Sequence, residues 1–97
     1  MVNAIVLINA RRDRINETAE KLTQIHGIAE VYSLAGEYDL AAVIRATSNE
    51  QLADVVTNHM LKLDGIVKTE TLIAFRTYSR FDLERMFAIG FEEPTQA

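Results

Sequence analysis

From Asn3 to Asn9 the chain reads Asn-Ala-Ile-Val-Leu-Ile-Asn, a short run rich in β-branched residues and bounded by polar ones. That pattern predicts a strand that is apolar on both faces. After Arg11-Arg12-Asp13-Arg14, the apolar positions Ile15, Ala19, Leu22 and Ile25 recur at spacings of four, three and three, which a helix gathers on one side. Gly27 then supplies a left-handed stop. Residues 28–35 and 40–47 predict two further strands, joined as a hairpin by Gly36-Glu37-Tyr38-Asp39, whose glycine tolerates positive φ. Thr47-Ser48-Asn49-Glu50-Gln51 offers two overlapping capping boxes, Thr47 with Glu50 and Ser48 with Gln51, at the start of a second helix. Its apolar stripe is Leu52, Val55, Val56, His59, Met60 and Leu63, and Gly65 is expected to end it as Gly27 ends the first. Residues 66–77 predict a long fourth strand, in which Thr69, Thr71, Ile73 and Phe75 alternate with Lys68, Glu70, Leu72 and Ala74.

The two halves echo each other. At an offset of 38, Ala4-Ile5-Val6 falls on Ala42-Val43-Ile44, Leu22 on Met60, Ile25 on Leu63, Gly27 on Gly65 and Ile28 on Ile66. Strand, helix and strand written twice predict an α+β fold, the ferredoxin-like βαββαβ arrangement: an antiparallel sheet with both helices on one face. Helices cover only one side, yet the first strand sets Ile5 and Leu7 against Val6 and Ile8. Something must cover the open side, and a second copy packed sheet to sheet in a dimeric α/β barrel uses one patch twice. A dimer, or an assembly of dimers, is therefore expected.

A chain of 97 residues supports one core, here assigned to residues 1–78, with residues 79–97 as a C-terminal extension. In that extension, residues 81–87 have the pattern of a short amphipathic helix with Ser79 as N-cap. Three of the four phenylalanines, Phe81, Phe87 and Phe91, lie there, suited to an arm on the chain's own dimer or to contact with a different protein. Ten Lys and Arg against fourteen Asp and Glu give a net charge of −4, the wrong sign for a duplex-binding footprint. Direct nucleic-acid binding is not expected. There is no cysteine, which excludes disulfides and thiolate metal sites. No apolar run approaches the ~20 residues that span a bilayer, and the N-terminus lacks a basic leader, so a cytoplasmic location is expected.

Candidate chemistry is sparse. No hydrolytic triad is visible, the glycines at 27, 36, 65 and 90 form no phosphate loop, and His26 and His59 lack metal-ligand spacing. Neither a metal nor a cofactor is called for. His59 falls on the apolar stripe of the second helix and reads as a half-buried structural residue, while His26 complements a helix C-terminus. Arg11, Arg12 and Arg14 form the only basic cluster, either a solvated loop or a site for an anion or an intersubunit salt bridge. The hairpin Gly36-Glu37-Tyr38-Asp39 is either turn chemistry alone or a ligand-binding turn whose backbone amides meet a carboxylate and whose Asp39 pairs with an ammonium group.

The hairpin Ala35-Gly36-Glu37-Tyr38-Asp39 before an apolar strand, Lys62-Leu63-Asp64-Gly65-Ile66 after a capped helix, and Thr69-Glu70-Thr71-Leu72-Ile73 together resemble one family. It is the effector-binding (RAM) domain of the Lrp/AsnC, or feast/famine, transcriptional regulators, over about residues 2–78. The resemblance implies sheet-to-sheet dimers closing into rings, with an amino-acid effector between neighbouring dimers. It places Gly36, Tyr38 and Asp39 in the turn that holds the effector, Ser33 on the strand leading in, and Thr69 and Thr71 beside the crevice. Asp39 would face the α-ammonium group and amides near Gly36 the carboxylate.

Family regulators carry a helix-turn-helix domain ahead of this module, whereas here Met1 stands at the first strand. The resemblance is thus to a stand-alone module, acting through mixed assembly with full-length regulators or for some other partner. A non-enzymatic, amino-acid-responsive oligomerisation module is the leading expectation. The alternative is a small dimeric enzyme of the same topology, of the cofactor-independent monooxygenase or isomerase type, with a pocket between sheet and helices and His59, Tyr38 or Tyr32 as the acid–base group.

Overall fold

The computed structural model describes residues 1–78 and Arg80. Four strands, β1 (Val2–Ala10), β2 (Ile28–Ser33), β3 (Leu40–Ala46) and β4 (Ile66–Ala74), form one antiparallel sheet in the order β2-β3-β1-β4. Helix α1 (Ile15–Thr23) follows β1 through a 3₁₀ turn at Arg12–Arg14, and α2 (Asn49–Asp54) follows β3. This is the expected βαββαβ, ferredoxin-like arrangement. The expected C-terminal helix over residues 81–87, its Ser79 cap and the phenylalanine-rich arm lie outside the described residues. Among the described residues no helix is long and apolar enough to cross a membrane.

Three strands are shorter than their sequence pattern, β3 by one residue, because Thr47 belongs to the cap of the next helix. β2 stops at Ser33 because the next amide, Leu34 N–H, donates to the Asp39 carbonyl at 2.8 Å and closes the hairpin. β4 stops at Ala74, the partner of Asn3, so residues 75–77 lie beyond the ladder. Alternation then sorts the faces. Ala4, Val6, Ile8 and Ala10 of β1 and Leu40, Ala42, Ile44 and Ala46 of β3 are buried on one side. They join Leu22 of α1 with Leu52, Val55 and Met60 of the second helical segment in a single core. α1 packs on β2 and β3, and α2 on β3 and β1, so β4 overhangs. For that reason Thr71 and Ile73, paired with Val6 and Ala4 and hence on the helical side, are nonetheless exposed.

On the other face, register aligns Leu72, Ile5 and Val43 in one row and Glu70, Leu7, Ala41 and Tyr32 in the next. Ile5 is 42% exposed and Leu72 45%, so this apolar face is bare in the single chain.

The second helix departs from its sequence pattern. Ser48 is the N-cap, its hydroxyl accepting from Gln51 N–H at 3.1 Å, while Gln51 Oε1 accepts from the Thr47 amide and hydroxyl. Of the two candidate caps the structure uses Ser48, and the Gln51 side chain reaches back to Thr47 instead of closing a reciprocal box on the Ser48 amide. After Asp54 the helix widens to a π segment, Val55–His59, and then tightens to a 3₁₀ turn, Met60–Lys62. Met60 N–H is shared between the Val55 and Val56 carbonyls. Widening places Val55 and Met60, five apart, together in the core and turns His59 outward. His59 is therefore not half-buried. It is an exposed residue whose Nε2 lies 3.4 Å from Asp54 Oδ2. The Asn58 amide, bonded to Asp54 Oδ1 at 2.6 Å, is the main reason this carboxyl sits below its usual range, with His59 and Lys62 adding to it. The two glycines also differ in role. Gly27 has φ +103°, the expected left-handed stop, whereas Gly65 has no positive φ and is required by close approach to Thr18.

Candidate ligand-binding site

β3 pairs with β1 only as far as Leu40 opposite Ile8. Beyond that point Asp39 takes over as the partner of β1. Its N–H donates to the Ile8 carbonyl at 2.9 Å, and its Oδ2 accepts from Ala10 N–H at 2.9 Å. The carboxylate thus replaces a missing ladder acceptor with a charged one, which makes a stronger bond than a carbonyl would. β1 pairs with β4 through a bulge at this point, after Asn9, which helps the chain turn toward α1. Ala10, Arg12, Ile15 and Asp39 together line a cavity of about 360 Å³.

The other five expected site residues are dispersed. Gly36 is exposed with φ +149°, and a Cβ there would meet nothing within 4 Å. Tyr38 turns away from Asp39, its hydroxyl donating to Glu70 Oε1 at 2.6 Å across the end of the sheet. Ser33, Leu40, Ile8 and Thr69 lie in one cross-strand row, with Ser33 and Thr69 on opposite edge strands. Three strand spacings, about 14 Å, separate them. Thr71 lies in the next row and lines a second cavity, an apolar groove of about 260 Å³ between α2 and β4 with Leu52, Ala53, Val56 and Ile73. Within one protomer these six residues do not surround a single ligand. The basic cluster resolves into different roles, since Arg11 and Arg14 both pair with Asp64, at 3.6 and 3.4 Å, while Arg12 faces the cavity of Asp39.

The acid–base candidates are not gathered either. The apolar groove is lined by no ionisable side chain among the described residues. The hydrogen bond to Glu70 raises the Tyr38 phenol above its ordinary value, and the Glu30 carboxylate raises that of Tyr32. Both stay protonated near neutrality, which disfavours them as bases. Because folded Tyr38 keeps its proton where the unfolded chain has begun to lose it, the stability from this contact is present below about pH 10 and falls away above it. Urea unfolding of Tyr38→Phe from pH 8 to 11 should give a shallower alkaline loss than wild type. An identical pH dependence would mean the Glu70 bond does not persist in solution.

The family model of the Lrp/AsnC ligand binding domain matches residues 3–83. The chain belongs to the Lrp/AsnC family. It is 36% identical over 61 residues to the HTH-type transcriptional regulator LrpA of Pyrococcus horikoshii, covering 63% of this chain and 43% of that regulator. The chain thus spans less than half the length of the curated relatives it matches. Among solved structures, TTHA0845 from Thermus thermophilus superposes with a TM-score of 0.77 at 46% identity, covering 82% of this chain and all of that one. A feast or famine regulatory protein from M. tuberculosis, complexed with L-methionine, shares the fold with a TM-score of 0.66 at 23% identity, covering 81% of this chain and 53% of that one.

Of the six expected ligand-binding residues, Asp39 is the one that borders this polar cavity, and Arg12 of the basic cluster borders it too. Sequence reasoning assigned no role to Ala10, whose amide fixes the carboxylate, because a backbone donor left over at a ladder's end leaves no trace in residue type.

Proposed function

We propose that this Lrp/AsnC ligand-binding domain is a non-enzymatic sensor of a free α-amino acid, assembled as sheet-to-sheet dimers and rings of dimers. The observation that carries the reading is Asp39: a carboxylate anchored by Ala10 N–H at the mouth of a polar cavity, on the turn where the family resemblance puts the effector. Three observations support assembly. The face bearing Ile5, Leu7, Val43 and Leu72 is apolar and open, and a two-fold pairing buries it once for both copies. Ser33 and Thr69 lie too far apart to meet one ligand in one protomer, so a crevice that uses both needs a second chain. Gly36 projects into open space, as a turn does that another chain approaches.

In this reading the domain acts on transcription or amino-acid metabolism indirectly, through its own assembly or mixed assembly with full-length regulators, without touching DNA itself. The acidic balance of charge favours that route.

Native mass spectrometry with and without the twenty amino acids at millimolar concentration tests the proposal. The expected result is a dimer or ring whose mass or subunit number changes with one amino acid. Asp39→Asn, which keeps an acceptor for Ala10 N–H, should weaken binding at least tenfold, an effect appropriate to one charge-assisted bond. Gly36→Trp should block binding in the assembly. A monomer in all conditions, or unchanged binding in both variants, overturns the assignment.

A further inference from the structure

Resting on that amino-acid-binding reading, we infer that Arg12 is the carboxylate partner of the effector, so that the cavity at the end of β1 is a clamp for a zwitterion. The starting point is how the three arginines are used. Arg11 approaches Asp13 at 3.8 Å and Asp64 at 3.6 Å, and Arg14 approaches Asp64 at 3.4 Å and Glu17 at 3.9 Å. Among the described residues Arg12 makes no ion pair within 4 Å, although it lines a cavity with an aspartate. Its neighbours have consumed the nearby acids, and it has been left with its charge facing the cavity.

Local backbone holds this arrangement in place. Arg11 N–H donates to the Gly65 carbonyl at 2.7 Å, and Arg14 N–H closes the 3₁₀ turn onto the Arg11 carbonyl at 2.8 Å. Arg12 is therefore presented from a turn fixed at both ends. Asp39 lines the same cavity with its Oδ2 held by Ala10 N–H, and no ion pair joins it to the guanidinium. A cation and an anion thus face one cavity of about 360 Å³ without pairing.

A ligand carrying both charges on adjacent groups satisfies both walls at once. The guanidinium fork suits a carboxylate, and the second oxygen of Asp39, which has no partner among the described residues, suits an ammonium. Within the single chain no backbone amide near Gly36 borders this cavity, and Arg12 is the lining group that suits the carboxylate. Among the described residues Ala10 and Ile15 supply the rest of the lining, a small apolar wall beside the two charged groups.

The test is isothermal titration of the full chain with L-methionine and L-leucine, compared with L-methioninamide, which lacks the carboxylate. Wild type should bind at least one of the acids and should bind the amide about tenfold more weakly, the loss suited to a solvent-accessible charged contact. Arg12→Ala should weaken binding of the acid about tenfold, leave the amide unchanged, and keep the wild-type melting temperature. Arg12→Lys should recover part of the affinity. Wild-type affinity for the acid in Arg12→Ala, or equal losses for acid and amide, overturns the assignment of Arg12 and leaves the sensor reading intact. Where wild type binds another of the twenty amino acids but neither of these two, the same comparison with that acid and its amide decides. Wild type that binds none of the twenty overturns the sensor reading as well.

Discussion

Gly65→Ala is expected to destabilise the domain by roughly 1–3 kcal/mol, the range for forcing atoms into a well-packed site. The backbone at Gly65 has no positive φ, so conformational strain does not enter. The cost is contact alone: a Cβ there would overlap Thr18 Oγ1 and lie 3.4 Å from Thr18 Cβ and 3.5 Å from Arg14 Cβ. Thr18 is 2% exposed and branched at Cβ, so rotating its hydroxyl away only brings its methyl into question. The loop cannot retreat without stretching the bond from Arg11 N–H to the Gly65 carbonyl. Urea unfolding should therefore show a lower midpoint, and for a domain this size each kcal/mol lowers the melting temperature by about 4–8 °C. Removing the obstacle gives the control. Thr18→Ala combined with Gly65→Ala should be more stable than the sum of the two single changes predicts, because the clash needs both partners. Strict additivity would mean that Gly65 matters for some reason other than Thr18.

That contact also marks where sequence reasoning runs out. Gly27 and Gly65 are equivalent in the internal repeat, and both follow a helix, so sequence gives them one role. The structure gives them two, because only the fold brings α1 against the loop before β4. His59 fails for a related reason. Its place on the apolar stripe assumes 3.6 residues per turn throughout, and the π segment at Val55–His59 changes the period where the decision is made. Elsewhere the pattern was sufficient for the elements. The four strands, the hairpin and a cap at Thr47 or Ser48 followed from local chemistry that needs no distant partner, whereas β1 reads as apolar on both faces and only the structure shows that Ala4, Val6 and Ile8 take the buried side.

The candidate site was legible in part. Asp39 stands out in sequence because a Gly-x-Tyr-Asp turn is an unusual concentration of turn and charged residues. Its bond to Ala10 N–H depends on where the β1–β3 ladder ends, a register property that one sequence does not display. Tyr38 appears beside Asp39 in sequence yet departs to Glu70, since neighbours in an extended turn point to different sides. The three arginines look alike until Asp64, fifty residues from Arg14, claims two of them. Long-range ion pairs of this kind divide a charge cluster into structural and available members, and only topology reveals the division.

Ile8→Ala is expected to cost about 2–5 kcal/mol, the range for truncating a fully buried aliphatic residue. Ile8 is 0% exposed on a central strand, between Leu40 of β3 and Thr69 of β4, and its carbonyl receives Asp39 N–H. Against a total stability of roughly 5–15 kcal/mol, that loss is a large share. The informative comparison is Ile5→Ala, three residues earlier on the same strand and on the opposite face. In a single chain Ile5 is 42% exposed, so its truncation there removes only partial burial and should cost well under half as much. If a second copy covers the sheet, Ile5 becomes a core residue of the pair. Its truncation then costs as much as a buried residue, and the penalty depends on protein concentration through the dimer equilibrium. Urea curves for both variants at several protein concentrations separate the cases. Ile8→Ala should lower the unfolding free energy by a constant amount relative to wild type at each concentration. A deficit for Ile5→Ala that is largest in concentrated protein, and shrinks as dilution dissociates first the variant and then the wild type, would place the second copy on the face of Ile5, Leu7 and Leu72. Only an interface residue couples its own burial to the partner's concentration.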